Sequence, residues 1–241
     1  VAVVTRIVAT SNLQYTLSDA AFEHGLRLVL SKRPDILAIQ EAGKSRDHSI
    51  RRITNGLGYA WARPSSPNGD PVMPVAWEAG RYRPRSCKAI LLARREFVGH
   101  LPGRKTRLPA SWCTEVILDD LVDGKVVVVE VFHMTAEIQG ADGGYKKDAA
   151  HWLRVQRHKR EKFRLGRRSR AQKRKGRVVY PAGDGNFDGM QLGGFVSCWT
   201  RRSGGTLGWR SPDVIFGATR GSRLETVETA SDHDTLIVTY P

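Results

Sequence analysis

Residues 34–41 read PDILAIQE. Pro34 cannot continue a helix arriving from upstream, so it marks a boundary. Ile36 to Ile39 then run without a polar residue, as a strand covered on both faces does. The run stops at Gln40 and Glu41, and a carboxylate ending a buried strand needs a partner. A helix is predicted just before this strand: Ser18 can cap its start, and Phe22, Leu26, Val29 and Leu30 fall on one face. Further upstream, Val3 to Ala9 form another β-branched run, followed by Thr10, Ser11 and Asn12. Helices interleaved with strands of this kind point to a layered α/β protein.

Comparable runs recur at Val126 to Phe132, Val178 to Tyr180, Val214 to Phe216 and Leu236 to Val238. A second helical stretch covers about Lys147 to Leu165, with Trp152, Val155 and Phe163 as its inward residues. From Trp61 to Leu118 the chain reads as shorter strands and loops, punctuated by Pro64, Pro67, Pro71 and Pro74. Short turns such as Asp123-Gly124 imply mixed rather than purely parallel sheets. No linker or internal repeat divides the 241 residues, so one domain over 1–241 is expected, with an inserted basic helix and loop at about 154–177.

No apolar stretch approaches the roughly 20 residues of a membrane-spanning helix, and VAVVTRIVATSN is too polar to be a secretory signal. A cytoplasmic protein, bacterial or phage-encoded, monomeric and without a membrane partner, is expected. Cys87, Cys113 and Cys198 lack zinc-site or disulfide spacing and read as inert thiols. The formal net charge of +15 creates a field that attracts polyanions, of which phosphate chains are the commonest. It is concentrated between Arg154 and Arg177, where Glu161 is the one acidic residue. Such a run is either a solvated face or a nucleic-acid contact, and a helix ending in a flexible basic loop can track phosphates without reading bases.

The polar residues carry the functional signal by position. Asn12, Glu41, His133 and the pair Asp184/Asn186 lie just beyond the C-terminal ends of apolar runs, whereas Asp213 and Asp232/His233 lie just before others. If the first four strands run one way and the last two the other, all these groups meet at one edge. Carboxylates packed so closely require something positive among them. Oxygen ligands without cysteine favour a hard ion, Mg²⁺ or Mn²⁺.

The strings TSNLQ (10–14), PDILAIQE (34–41), FHMTA (132–136), AGDGN (182–186), SPDVIF (211–216) and SDHD (231–234) occur in order along nearly the whole chain. This ordered set resembles the endonuclease/exonuclease/phosphatase superfamily, the fold of pancreatic deoxyribonuclease. Gly185, Val131 and the pair Asp234-Thr235 depart from its common pattern, which has Phe, Asn and Arg-Pro there; none of these removes a chemical group. The resemblance implies a four-layer α/β sandwich, two mixed β-sheets packed face to face with helices outside. It implies a divalent-metal-dependent phosphodiesterase in which Glu41 anchors the metal, with Asp232 and Asn12 nearby. It pairs His233 with Asp213, sets Asp184 and Asn186 beside the scissile phosphate, and gives His133 a phosphate oxygen to hydrogen-bond. Either Asp184 or His233 could be the base.

Each group has a plainer reading: a structural His133, a Gly-Asp-Gly-Asn turn, an Asp232/His233 cap, a loop Asn12. The ordered set favours the functional one. The expected substrate is a nucleic acid, DNA in preference to RNA, with contacts from Arg107, Arg167, Arg168, Arg170, Lys173, Arg174, Arg201, Arg202 and Trp209. The alternatives are a phosphatase or phosphodiesterase acting on RNA, a phosphoinositide or another small phosphoester, and a non-catalytic nucleic-acid-binding module.

Overall fold

A computed structural model describes residues 4–67, 72–100, 104–199, 205–207 and 210–241. Strand β1 (Arg6–Asn12) leads into helix α1 (Asp19–Ser31), and β2 (Ile36–Gln40) returns parallel to β1. Ser18 Oγ accepts from Ala21 N–H at 3.2 Å, so the cap read from the sequence is present. Helix α2 (Asp47–Gly56) and the antiparallel strands β3 (Tyr59–Ala62) and β4 (Val75–Glu78) follow. The chain then leaves this sheet for β5 (Tyr82–Ala93), the ribbon β6 (Glu96–His100) and β7 (Arg104–Leu108), and strands β8 (Ser111–Asp120) and β9 (Val126–His133). Helix α3 (Trp152–Lys173) precedes β10 (Val178–Asp184), β11 (Val196–Ser197), β12 (Asp213–Gly217), β13 (Arg223–Val227) and β14 (Thr235–Tyr240).

Two mixed six-stranded sheets result, ordered β13-β14-β1-β2-β4-β3 and β11-β12-β10-β9-β8-β5. Alternate residues explain how they stack. Val8, Ile36 and Ala38 of the first sheet share a core with Val127, Val129 and Val131 of the second. Their neighbours Ala9, Leu37 and Ile39 face outward onto Phe22, Leu26, Ile50 and Ile53 of α1 and α2. Helix α3 covers the outer face of the second sheet, which completes the four-layer sandwich. No helix among the described residues is long and apolar enough to cross a membrane. Cys113 and Cys198 are buried, Cys87 partly so, and all three are free.

The structure departs from the sequence reading in two elements. Beside the short strands β3, β4, β6 and β7 expected there, the middle of the chain holds two long ones, β5 and β8, 12 and 10 residues long. Strand β5 is an edge strand whose Arg83, Arg85 and Lys88 blur its alternation, and an edge tolerates Pro84 at a register shift. The basic segment is not a helix running into a flexible loop. It is helical to Lys173 and forms a layer of the sandwich. Trp152 and Phe163, expected inward, are 57% and 64% exposed, while Val155 is buried as expected. The inward face instead carries Arg157, His158, Glu161, Leu165, Ser169 and Gln172. Their partners explain this: Arg168 and Gln172 bind Glu115, and Ser169 donates to Glu130, both on the strands beneath.

Candidate active site

Parallel pairing carries β1 and β2 to a common end, at Asn12 and Gln40, and does the same for β9 and β10 at His133 and Asp184. Strand β12 runs antiparallel to β10 and starts opposite it, Asp213 against Asp184. Strand β14 runs antiparallel to β1 and begins just after His233. The stacked sheets therefore deliver these residues to one edge. The Asn12 amide spans the seam, its Nδ2 donating to Glu41 Oε1 at 3.1 Å and to Asp184 Oδ2 at 3.3 Å. His133 Nε2 lies 3.6 Å from Asp184 Oδ2 and 4.0 Å from Glu41 Oε1.

Local backbone geometry fixes these side chains. Glu41 has φ of 57°, the left-handed region that costs a residue with a Cβ about 1 kcal/mol or more and that concentrates at functional sites. Its Oε2 accepts from the Tyr15 N–H at 3.4 Å. A Cβ at Gly183 would lie 1.9 Å from the Phe132 carbonyl oxygen, so only glycine lets β10 approach β9 here. Asp184 Oδ1 accepts the Asn186 N–H at 2.7 Å, and the Asn186 amide donates to Met134 O at 2.9 Å. Gly185 stands where the superfamily often has Phe, and the Met190 sulfur occupies the space beside it, 2.7 Å from where a Cβ would lie.

His233 Nδ1–H donates to Asp213 Oδ2 at 2.7 Å, and Thr206 Oγ1 donates to the same oxygen at 2.6 Å. Burial alone would lower the His233 pKa. The hydrogen bond to Asp213 and the charges of Asp213, Asp184 and Asp232 reverse that and raise it to about 9. The surrounding carboxylates thus favour the protonated ring. Burial likewise raises Asp213, against the hydrogen bond from His233.

Asp184, Asp213 and His233 place one ligand atom each within 4.8 Å of one another. Asn12 Oδ1 and Asp213 Oδ1 are buried without a hydrogen-bond partner. Two carboxylates and an imidazole, an unpartnered amide oxygen, the neighbouring Glu41 carboxylate and no thiol form a donor set that fits a hard divalent cation. Glu41 and Asn12 lie in contact and could share it. Asp232 lies apart from the tightest cluster: it is exposed and receives a hydrogen bond from Ser231 Oγ at 3.4 Å.

Of the basic residues expected to touch nucleic acid, several have partners within the protein. Arg168 chelates Glu115 at 2.5 and 2.6 Å, Arg170 donates to Gly193 O at 3.1 Å, and Lys173 donates to Gly194 O at 2.9 Å. Arg167 and Arg174 are exposed on α3 and its end, and Arg107 is exposed on β7 with its guanidinium over the Phe97 ring. Arg201, Arg202 and Trp209 lie outside the described residues.

Three supporting residues were not anticipated. His158 Nε2–H donates to Gly185 O at 2.8 Å while Nδ1 accepts from Tyr145 Oη at 3.1 Å, so a buried ring on α3 holds the Asp184–Asn186 turn. Trp199 Nε1–H donates to Asp213 O at 2.5 Å, and Thr206 steadies the Asp213 carboxylate. The charge run around His158 concealed it, and the basic, glycine-rich setting of the other two offered no period to read.

The sequence matches no protein-family model and no curated protein. Solved structures do match. An endonuclease/exonuclease/phosphatase family protein from Bacteroides thetaiotaomicron superposes with a TM-score of 0.71 at 13% identity, covering 98% of this chain and 97% of that one. Zebrafish (D. rerio) TDP2 complexed with a single-strand DNA product gives 0.67 at 14% identity, over 98% of both chains. A mannosyl-6-phosphatase of B. thetaiotaomicron gives 0.66 at 12% identity, over 97% of this chain and 98% of the other. End-to-end agreement at such low identity is agreement of architecture, and the chain has the endonuclease/exonuclease/phosphatase fold.

Proposed function

We propose that this chain is a phosphodiesterase that works with a divalent cation, Mg²⁺ or Mn²⁺, and that its substrate is a nucleic acid backbone, DNA in preference to RNA. The observation that carries this reading is the Asn12 amide reaching from Glu41 of one sheet to Asp184 of the other, beside His133 and the His233–Asp213 pair. Binding phosphate would not require this convergence of carboxylates. Hydrolysis needs an aligned water, an acceptor for its proton, neutralised phosphate oxygens and a stabilised leaving group. When bound, the cation would lie by Glu41 and Asn12 and act as a Lewis acid for the phosphate oxygens. Asp213 holds the His233 tautomer through Nδ1, which leaves Nε2 to orient the water and exchange its proton. Asp184, with Oδ1 held by Asn186 N–H, keeps Oδ2 toward the reacting phosphate and is the second candidate to move a proton. His133 offers its Nε2 to a phosphate oxygen as charge develops. The net charge of +15 and the TDP2 complex with a single-strand DNA product support the polyanion.

A small phosphoester is the second reading, favoured by the internal pairing of Arg168, Arg170 and Lys173 and by the similarity to a mannosyl-6-phosphatase. Supercoiled, linear and single-stranded DNA, RNA and small phosphomonoesters, each incubated with protein and Mg²⁺, separate the two. We expect DNA cleavage that stops with EDTA and falls at least ~100-fold in Glu41→Ala, a loss typical of removing a key electrostatic group. Hydrolysis of monoesters alone would overturn the nuclease reading in favour of the second.

A further inference from the structure

Several basic residues of α3 are bound within the fold: Arg157 to Glu161, Arg168 to Glu115, and Arg160 to Glu96 at 2.6 Å. Lys159 and Lys162 are placed differently. With Phe163, Gly166, Arg170 and the 191–193 loop they line a shallow depression of about 180 Å³. No carboxylate belongs to that lining. Burial, and then the charge of Lys159, hold the Lys162 ammonium below the ordinary lysine range, and no anion opposes them. Like charges brought together and partly desolvated are unfavourable unless an anion joins them.

The depression is smaller than the roughly 300 Å³ of ordinary small-molecule pockets, so it takes one group of a larger ligand. A phosphate suits its size and charge. Beside it, Phe163 is exposed. A lone exposed aromatic is ordinary, but one on the rim of a cationic depression combines the two elements of single-strand recognition, a cation for the backbone and a π-face for an unpaired base. A duplex keeps its base faces stacked on one another and would leave Phe163 unused. A flat membrane surface would engage Phe163 and leave the depression behind it empty.

Position ties this surface to the catalytic edge. The 191–193 wall follows shortly after the Asp184–Asn186 turn. Lys159 Nζ lies 4.9 Å from the centre of the Tyr145 ring, which packs on Phe187 at 4.5 Å. Contacts therefore lead from Asn186 through Phe187, Tyr145 and Lys159 to the depression.

We infer that Lys159, Lys162 and Phe163 form an accessory site for single-stranded nucleic acid, the lysines holding one backbone phosphate and Phe163 stacking an unpaired base of the strand that leaves the active site past Phe187. The choice of nucleic acid rests on the proposed function, but the site is tested without cleavage. Metal-free protein in EDTA is titrated into fluorescein-labelled oligothymidylate and into an abasic strand of equal length, and binding is read by anisotropy. Phe163→Ala should weaken oligothymidylate binding about 10-fold, as loss of one stacked base does, and leave the abasic strand unchanged. Lys159→Gln with Lys162→Gln should lower the slope of log K against log salt by about 0.7 on both strands, the share of one phosphate. Arg27→Gln with Lys32→Gln, the same loss of charge on α1 in the opposite outer layer, should leave the slope at the parent value. All five side chains are exposed or half-buried, and circular dichroism establishes that the variants are folded.

Parental binding of oligothymidylate by Phe163→Ala, or an equal change of slope in the α1 pair, would overturn the inference. Phosphatidylserine vesicles are the comparison surface: vesicle binding lost in Phe163→Ala while oligothymidylate binding persists would reassign the patch to a membrane. DNA cleavage alongside parental binding by the α3 variants would remove the accessory site and keep the phosphodiesterase. Binding that depends on these residues in a protein that cleaves no diester would do the reverse.

Discussion

His158 shows how much one buried ring can govern. It is fully buried, and burial lowers its pKa to about 4 despite the bond to Gly185 O. The unfolded imidazole titrates near ~6.5, so over this interval the unfolded chain binds a proton that the folded chain refuses. Stability is therefore complete above ~6.5 and falls as the pH drops towards 4, by about 3 kcal/mol in all. Urea unfolding at a series of pH values measures this. His158→Gln retains an N–H for Gly185 O without a titrating ring, so it should flatten the acid limb. His233 is displaced the other way, to about 9, with Asp213 as its partner. In Asp213→Asn the ring should titrate near its ordinary value of ~6.5. Nuclear magnetic resonance of the metal-free variant tests this, and a value still near 9 would show that Asp213 is not the cause.

Helix α3 illustrates what an element's sequence conceals. Its inward face is polar, so hydrophobic periodicity pointed to Trp152 and Phe163, which face solvent. The correct face is defined by partners that come together only in space, Glu115 and Glu130 on the strands below and Thr135 beyond β9. Arg157 is 2% exposed, donates to Thr135 Oγ1 and Glu161 Oε1, and caps the carbonyls of Arg94 and Pro109. Arg157→Ala leaves Glu161 buried without its counter-charge and should cost about 3–5 kcal/mol. Arg167→Ala on the exposed side should fall within about 0.5 kcal/mol of the parent. Denaturant midpoints of the two variants provide the comparison. Strands β1, β2, β9 and β10 were legible for the opposite reason: buried on both faces, they show as largely apolar runs, and a polar residue within a few positions of each run's end marks the edge. Asn12, Glu41, His133 and Asp184 were found that way. Asp213 and His233 needed the same edge approached from the other direction.

Across the whole molecule, the formal charge of +15 is less available than the sequence suggests, because arginines of α3 are used to hold the helix to its sheet. If Arg167 and Arg174 contact phosphates, replacing both with Ala should weaken DNA binding uniformly across sequences and reduce the slope of log K against log salt by about 2. Titrations at several salt concentrations measure it, and an unchanged slope would take the C-terminal turns of α3 out of the interface. A layered α/β protein was readable from the order of runs and turns, and the four-layer sandwich from the family resemblance, whereas the supports supplied by Thr206, Trp199 and His158 depend on tertiary geometry that no local pattern encodes. One consequence follows from the Asn12 amide lying across the join between the two sheets. If the proposed hydrolysis depends on that join, mild denaturant that slides the layers apart while each keeps its strands would silence activity before far-ultraviolet dichroism changes.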